Sequence, residues 1–182
     1  MMKLVIMEEI IIQIFFLIYT NYILLMSEYC KKLILKESPI SGTGIFANED
    51  IKRGEVVMVW SIKALIIGEE EYNEAQKSGN ALMIKTGCRF VDGIFLYTDN
   101  SPRLENYVNH SFNPNLLYHC GICFAKSDIK KDDELTADYR YILAKHDANS
   151  FVDAETSIKV DGYDSQTCLL KTTQELLKIL GG

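Results

Sequence analysis

The sequence predicts a mainly β (α+β) fold, built from short strands joined by tight turns and completed by a short C-terminal helix. Beyond Leu35 the apolar residues come in short runs separated by turn-forming residues, which is typical of strands. Long helical periods are few over the same stretch. With 182 residues, 48% of them hydrophobic and 24% charged, the chain has the size and composition of one folded domain with one core.

The first half of the chain alternates strand-like runs with turns. We predict strands at Lys32–Leu35, Ile45–Ala47, Val56–Trp60, Ala81–Lys85, Cys88–Val91 and Gly93–Leu96. Residues 38–44 form a turn-rich loop, and residues 51–55 form a tight turn. The polar segment Glu69–Lys77 is predicted to be helical and to end at Ser78-Gly79.

The second half continues this pattern and ends in a helix. Leu104–Val108 is predicted to form one helical turn, and Tyr118–Lys126 is predicted to form a strand. Residues 144–166 are polar and irregular. Beyond them, the string TTQE at 172–175 has the pattern of a capping box, which predicts a short helix at Leu176–Leu180 with its leucines packed on the domain.

Two stretches share one pattern. Each begins with Phe-Ala, continues through three other residues to Ile-Lys, and then enters an acidic turn. They cover residues 46–55 and 124–134. Each is predicted to join a strand to a strand through a polar turn. The same unit is thus used twice, and a duplication is not required.

Charge and cysteine content limit the classes of partner and site. With 19 basic and 25 acidic residues the net charge is −6, so no global positive field is present to bind nucleic acid. The acidic surface favours a basic partner or serves solubility alone. Five scattered cysteines do not form a disulfide framework, which by default indicates a reducing compartment. The pair Cys120-x-x-Cys123 lacks the further ligands of a zinc site, so we predict buried strand thiols and no metal.

The hydrophobic N-terminal segment, residues 1–26, allows three interpretations. Its stretch Ile10–Met26 is about 17 residues long and is interrupted by three polar residues, which makes it marginal for a bilayer that needs roughly 20. It could be a membrane anchor, an apolar helix packed on the domain, or translated sequence upstream of a natural start. A cleaved signal is disfavoured, because acidic residues precede the stretch and no small-residue cleavage site follows it.

Three strings carry the strongest indication of function. GTGIFA occupies residues 42–47, NHSFNPN residues 109–115 and ELTADY residues 134–139. In this order and spacing they resemble the signature segments of SET-domain protein lysine methyltransferases, over roughly residues 30–143. The resemblance implies a SET fold of small curved β-sheets with a pseudoknot that brings the second and third strings together. It leaves residues 144–182 as a C-terminal segment beyond the domain.

The resemblance also implies a reaction, a cofactor and roles for individual residues. Members of the family transfer a methyl group from S-adenosylmethionine to a lysine side chain, which enters a narrow channel from the opposite face. Tyr139 matches the catalytic tyrosine of the family. The residues matched to cofactor binding are Gly42, Thr43, Gly44, Asn109, His110 and Trp60. Those assigned to the wall of the lysine channel are Tyr107, Ala137 and Tyr141. Core packing is an equal alternative for Trp60 and Tyr141.

The chain departs from the family pattern at three positions. Phe112 replaces a cysteine that commonly joins three later cysteines around zinc, and only Cys168 follows the domain. A zinc cluster there is therefore not expected, and we predict that Phe151–Val160 or the C-terminal helix closes the channel. Ala137 replaces an aromatic residue that limits the number of methyl groups, so the degree of methylation stays open. Asn106 replaces a common arginine, which affects local packing.

The sequence therefore predicts an enzyme that methylates lysine in a histone tail or in another basic protein. Two alternatives stay open: a catalytically inactive binding module that keeps the fold, and an interaction protein anchored in a membrane by residues 10–26. Direct binding of nucleic acid is not expected, and the predicted location is intracellular, in the cytoplasm or the nucleus.

Overall fold

The structure is a computed structural model that describes residues 32–59, 64–81, 84, 87–96 and 103–181. The N-terminal segment 1–26 and Trp60 lie outside these ranges, so the predictions made for them stay predictions. None of the helices within these ranges is long and apolar enough to cross a membrane.

Short strands dominate the described residues and confirm the mainly β prediction. They are β1 (Leu33–Glu37), β2 (Thr43–Ala47), β3 (Val56–Val59), β4 (Leu65–Ile67), β5 (Cys88–Arg89), β6 (Ile94–Leu96), β7 (Asn109–His110), β8 (Leu116–His119), β9 (Ile122–Ala125), β10 (Glu134–Ala137), β11 (Phe151–Val152) and β12 (Lys159–Val160). The α-helices are α1 (Glu69–Lys77) and α2 (Ser165–Leu180), and the 3-10 turns η1 and η2 cover Leu104–Tyr107 and Tyr139–Tyr141. The strands form small sheets with the orders β1-β2-β10-β7, β3-β9-β8, β4-β6-β5 and β11-β12.

The sheet that positions the site joins distant parts of the chain. Its strand β10 runs antiparallel to β2 and parallel to β7. The parallel pairing sets Thr136 beside Asn109 and Ala137 beside His110. Because parallel strands need a long connection, no local pattern in the sequence contains this pairing. The sheet thus brings the second and third strings together, as the resemblance implies, while the pseudoknot itself stays a prediction.

The two similar strand–turn–strand segments pair with each other reciprocally. Ile51 and Ile129 exchange two backbone hydrogen bonds of 2.9 Å, and both side chains are buried. Asp50 and Asp128 occupy matching positions, and each accepts from a backbone amide of the opposite segment at 3.0 Å. Each turn supplies hydrogen-bond partners to the other. The paired turns therefore fix the positions at which β3 and β10 begin.

The strand predicted at Ala81–Lys85 is wrong at the residues described there. Ala81 and Ile84 are helical, and the amide of Ile84 donates to the carbonyl of Asn80 at 3.0 Å. Asparagine favours helix starts, and the Ala-Leu-Met that follows consists of strong helix formers. The helix propensity of these residues therefore outweighs the strand-like pattern of their apolar run.

The strand predicted at Tyr118–Lys126 is instead a hairpin of β8 and β9. Its two-residue loop, Cys120-Gly121, has φ values of 50° and 84°, positive at both residues as in type I′ hairpin loops. The usual Asn-Gly or Asp-Gly is absent, so the residue types alone do not indicate a turn. Cys123 is buried in β9, but Cys120 lies in the turn and is partly exposed, so only one of the two predicted strand thiols lies in a strand.

The C-terminal helix is longer than predicted and starts at a different cap. α2 begins after Asp164, whose side chain accepts from the amide of Thr167 at 2.9 Å. Thr172, the predicted cap, is buried inside the helix, and its hydroxyl donates to the carbonyl of Cys168 at 2.8 Å. The helix thus starts after the cap residue Asp164 and not at the capping box predicted at residues 172–175.

The face of α2 that meets the domain differs from the predicted leucine face. Cys168 and Thr172 are buried, and Leu176 and Ile179 pack against the core. These positions are three or four residues apart and share one side of the helix. Leu177 lies on another side and is 67% exposed. Only part of the predicted leucine face therefore contacts the domain.

Candidate functional site

The sheet of β2, β7 and β10 positions polar side chains of the second and third strings. Asn109 starts β7, and its side-chain nitrogen Nδ2 is 2.8 Å from Oε1 of Glu134 and 2.9 Å from Oγ of Ser38. The same nitrogen is 3.1 Å from the carbonyl oxygen of Ser41. An amide nitrogen has two hydrogens, so these acceptors use its whole donor capacity. The side chain of Asn109 is thereby fixed between the first loop and β10.

The glycines of the first string keep the backbone close to this cluster. Gly42 has a φ of 52°, a left-handed conformation that residues with a side chain rarely adopt. A Cβ added to Gly44 would lie 2.3 Å from Oε1 of Glu134. Thr43, between the two glycines, is exposed at the start of β2. Only glycine at position 44 therefore leaves room for the carboxylate of Glu134.

His110 follows Asn109 in β7 and is buried next to Tyr139. Its Nδ1 accepts from the backbone amide of Tyr139 at 3.1 Å, so in the neutral ring Nε2 carries the hydrogen. Burial lowers the pKa of His110 below its ordinary value, which favours the neutral ring. Nε2 is buried, and no residue described in the structure accepts from it. The site thus contains a buried N–H donor that has no partner among the described residues.

Aromatic rings surround His110. The centroid of its ring is 4.6 Å from that of Phe112, 5.5 Å from that of Tyr139 and 5.6 Å from that of Phe151, all in edge-on contact. The rings of Phe151 and Tyr139 are 6.1 Å apart. Phe151 belongs to β11, in the segment predicted to close the channel. The C-terminal segment therefore contributes an aromatic side chain to the same cluster.

Tyr139 ends the third string and opens η2. Its hydroxyl donates to the carbonyl of Val108 at 2.5 Å. Burial raises the pKa of this hydroxyl to about 12, so it stays protonated at neutral pH. Asp138 caps η2 by accepting from the amide of Arg140 at 3.0 Å. These contacts fix the hydroxyl of Tyr139 beside the start of β7.

The residues assigned to the channel wall lie in different surroundings. Tyr141 donates its hydroxyl to Oε1 of Glu175 at 2.7 Å, and its ring centroid is 5.6 Å from that of Tyr163. Ala137 is fully buried in β10, and Tyr107 packs against the main core. Tyr141 is thereby connected to α2. The channel roles of these residues stay predictions.

Phe112, at the position of the absent cysteine, packs against an arginine. The guanidinium carbon of Arg140 is 4.9 Å from the ring centroid of Phe112 and 5.6 Å from that of Tyr163. The same guanidinium pairs with Asp138 at 2.6 Å. Because Tyr163 belongs to the C-terminal segment, this stack connects that segment to the second string. Across the parts of the chain that the structure describes, no group of three or more His, Cys, Asp or Glu side chains could hold a metal ion.

Sequence reasoning assigned no role to several residues of this site, among them Ser38, Glu134 and Arg140. Glu134 begins the third string, so the motif itself could have indicated it. Ser38 and Arg140 reach the site through sheet register and ring stacking. No local pattern of the sequence indicates either contact.

Comparisons with known proteins identify relatives of this chain. A family model described as the SET domain matches residues 42–140, more than half of the chain. The histone-lysine N-methyltransferase ATX2 of Arabidopsis thaliana is 28% identical over 135 residues, which cover 66% of this chain and 12% of that protein. The histone-lysine N-methyltransferase trr of Drosophila melanogaster is 27% identical over 135 residues, which cover 67% of this chain and 5% of that protein.

The match to a third relative covers a larger share of that relative's length. The histone-lysine N-methyltransferase SETD7 of Halocynthia roretzi is 27% identical over 154 residues, which cover 75% of this chain and 39% of that protein. The match thus spans less than two thirds of the length of each of these relatives. The region matched by the family model contains all three strings, including Tyr139. The chain therefore belongs to the SET-domain protein lysine methyltransferase family.

Proposed function

We propose that this protein is an enzyme that transfers a methyl group from S-adenosylmethionine to a lysine side chain of another protein. The observation that carries the proposal is the hydroxyl of Tyr139, held on the carbonyl of Val108. It lies in one cluster with the rings of His110 and Phe151. A fixed, protonated hydroxyl among aromatic rings suits a site that must position a neutral amine and exclude water.

The residues at this site fit S-adenosylmethionine. Two buried polar atoms, Nε2 of His110 and Oε2 of Glu134, lack partners within the described ranges and are free to bind a polar ligand. Gly42 leaves open space beside its backbone, and Gly44 leaves room for the carboxylate of Glu134. Together with Asn109 these residues would hold the cofactor, which supplies a methyl group already activated on a sulfonium.

The acceptor lysine must be neutral when it receives a methyl group. The free side chain has a pKa of ~10.4, and desolvation lowers it. The rings of Tyr139 and Phe151 favour this by excluding water, and they tolerate the methylated ammonium through cation–π contact. The hydroxyl of Tyr139, with its pKa raised to about 12, adds no negative charge that would keep the lysine protonated.

The substrate we propose is a basic protein such as a histone tail. The net charge of −6 favours a basic partner. The relatives named above are histone-lysine N-methyltransferases, which supports the same class of substrate. The proposal includes an intracellular location for the protein. It does not include direct binding of nucleic acid.

The test is incubation of the full chain with S-adenosylmethionine labelled in its methyl group, core histones and a total cell extract. We expect labelled protein bands in which mass spectrometry identifies a methylated lysine. Heat-inactivated protein serves as the control for labelling without catalysis. Absence of label, with calorimetric binding of the cofactor intact, would contradict the proposal and support the inactive binding module.

A further inference from the structure

Glu134 contains an unsatisfied carboxylate oxygen inside the site. Its Oε1 accepts from Oγ of Ser38 at 2.7 Å and from Nδ2 of Asn109 at 2.8 Å. Its Oε2 is buried and accepts from no residue in the described part of the chain. Leaving a buried carboxylate oxygen without a donor costs free energy, so this arrangement indicates that a ligand supplies the donor.

The side chain of Asn109 restricts what this ligand can be. The hydrogens of its Nδ2 are directed to Glu134, Ser38 and Ser41, which leaves the amide oxygen Oδ1 as the group it offers. An amide oxygen and a carboxylate oxygen are both acceptors. A ligand that contacts both oxygens must therefore carry more than one hydrogen-bond donor, and the carboxylate favours a cationic one.

We propose that Glu134 is a cofactor-binding residue that recognises the α-ammonium group in the methionine part of S-adenosylmethionine. This proposal rests on the proposed function, because it concerns the same cofactor. An ammonium group has three donors, which suit Oε2 of Glu134 and Oδ1 of Asn109. Gly44 agrees with this assignment, since its lack of a Cβ leaves the carboxylate in place. Binding then depends on the charge of Glu134 as well as on its shape.

A purely structural role for Glu134 predicts something different. Oγ of Ser38 accepts from the amides of Ile40 and Ser41 at 2.9 and 3.2 Å, so the carboxylate also helps to order this loop through Ser38. The isosteric change Glu134→Gln keeps an acceptor toward Ser38 and removes the charge. If Glu134 only orders the loop, the change should affect all ligands of the site alike.

Calorimetric titration with two ligands separates the two roles. The probes are S-adenosylhomocysteine and its analogue that lacks the α-amino group. In the wild-type protein the analogue should bind about tenfold to a hundredfold more weakly, as expected for loss of a charge-assisted hydrogen bond. In Glu134→Gln, S-adenosylhomocysteine should bind several-fold more weakly than to the wild type, and by no more than that factor because Asn109 still accepts from the ammonium. The analogue should bind to this variant as it does to the wild type. Glu37→Gln, which removes an exposed carboxylate from neighbouring β1, is the matched control and should leave both affinities unchanged.

Equal weakening of both ligands by Glu134→Gln would overturn the proposal in favour of a structural role, and an unchanged affinity for S-adenosylhomocysteine would also overturn it. The ligand comparison on the wild-type protein needs no variant. Equal binding of the two ligands there overturns the proposal even if Glu134→Gln does not fold. Failure of the wild-type protein to bind either ligand is a separate result, which removes the proposed function itself.

Discussion

The core that contains the three strings and the C-terminal segment, residues 144–181, are held in place by different interactions. In the core, Ile45, Leu135 and Ala137 are fully buried, and backbone pairing joins β2, β7 and β10. The C-terminal segment exposes apolar residues on β11 and α2 and is attached to the core partly through polar side chains. The difference indicates that backbone pairing fixes the three strings in the core, whereas the C-terminal segment is held by polar contacts as well as by side-chain packing.

Arg89 makes several of these polar contacts and is deeply buried. It is 1% exposed, and its guanidinium donates to the carbonyls of Leu143 at 3.2 Å and Tyr163 at 2.8 Å. It also pairs with both carboxylate oxygens of Glu69 at 3.1 Å. One side chain thus joins α1, the end of the core and the C-terminal segment.

The largest effect on activity is expected in the core, from Tyr139→Phe. The change removes the hydroxyl held on Val108, and methyl transfer should fall about 100- to 1000-fold, as is usual when one preorganised donor is lost. Label transfer to protein measures this loss. Tyr163→Phe removes a hydroxyl from the C-terminal segment but keeps its ring, and should change transfer by less than about twofold. Unchanged transfer by Tyr139→Phe would contradict its assigned role.

The largest effect on stability is expected from Arg89→Met. The change leaves two backbone carbonyls and Glu69 without their donor, so the free energy of unfolding should fall by about 3 kcal/mol. Urea denaturation measures it. Glu69→Gln keeps the arginine, its two carbonyl partners and one side-chain acceptor at a partly exposed position, so it should cost less stability than Arg89→Met. If the two variants lose the same stability, Arg89 does not hold the segment to the core.

A smaller effect, confined to binding, is expected from Phe151→Ala. Loss of its contacts with His110 and Tyr139 should weaken binding of S-adenosylhomocysteine about tenfold in calorimetry. Phe151 is 37% exposed, so the free energy of unfolding should change by less than about 1 kcal/mol. Val152→Ala, at the neighbouring exposed position, is the matched control. Equal affinity of the two variants would indicate that another segment, such as α2, closes the site.

The smallest effect is a dependence of stability on pH. Burial lowers the pKa of His110 in the core and of His119 on β8 below the ordinary value of 6.5. The unfolded chain therefore binds protons at a higher pH than the folded chain, and the free energy of unfolding should fall as the pH drops below about 6.5. Urea denaturation at pH 7.5 and 5.5 measures this, and His119→Asn should reduce the difference. No change between these two pH values would contradict the burial of both rings.

The elements that the sequence predicts correctly are those whose pattern is local. The helix Glu69–Lys77 has the predicted bounds, because its polar composition and its Ser-Gly end are sufficient. The hairpin loop Cys120-Gly121 is missed because its positive φ at a cysteine is not a preference of that residue type. The helix α1 is predicted correctly and this loop is missed for the same reason. A sequence pattern reports only the conformational preferences of neighbouring residues.

The same limit applies to the site. Tyr139 and Asn109 were assigned through the resemblance of their strings, since each string is continuous in the sequence. The cluster of Ser38, Asn109 and Glu134 depends on the register of β10 against β2 and β7, which joins three distant segments. Either Phe151–Val160 or the C-terminal helix is predicted from the sequence to close the channel, but the contact of the Phe151 ring with His110 is visible only in the folded structure.

Hydrogen–deuterium exchange of the full chain, with and without S-adenosylhomocysteine, tests most directly whether the core and the C-terminal segment form one site. We expect slower exchange on binding in residues 108–111 and 134–139 of the core, together with residues 150–153 and 160–163 of the C-terminal segment. Protection confined to the two core ranges would contradict closure of the site by the C-terminal segment.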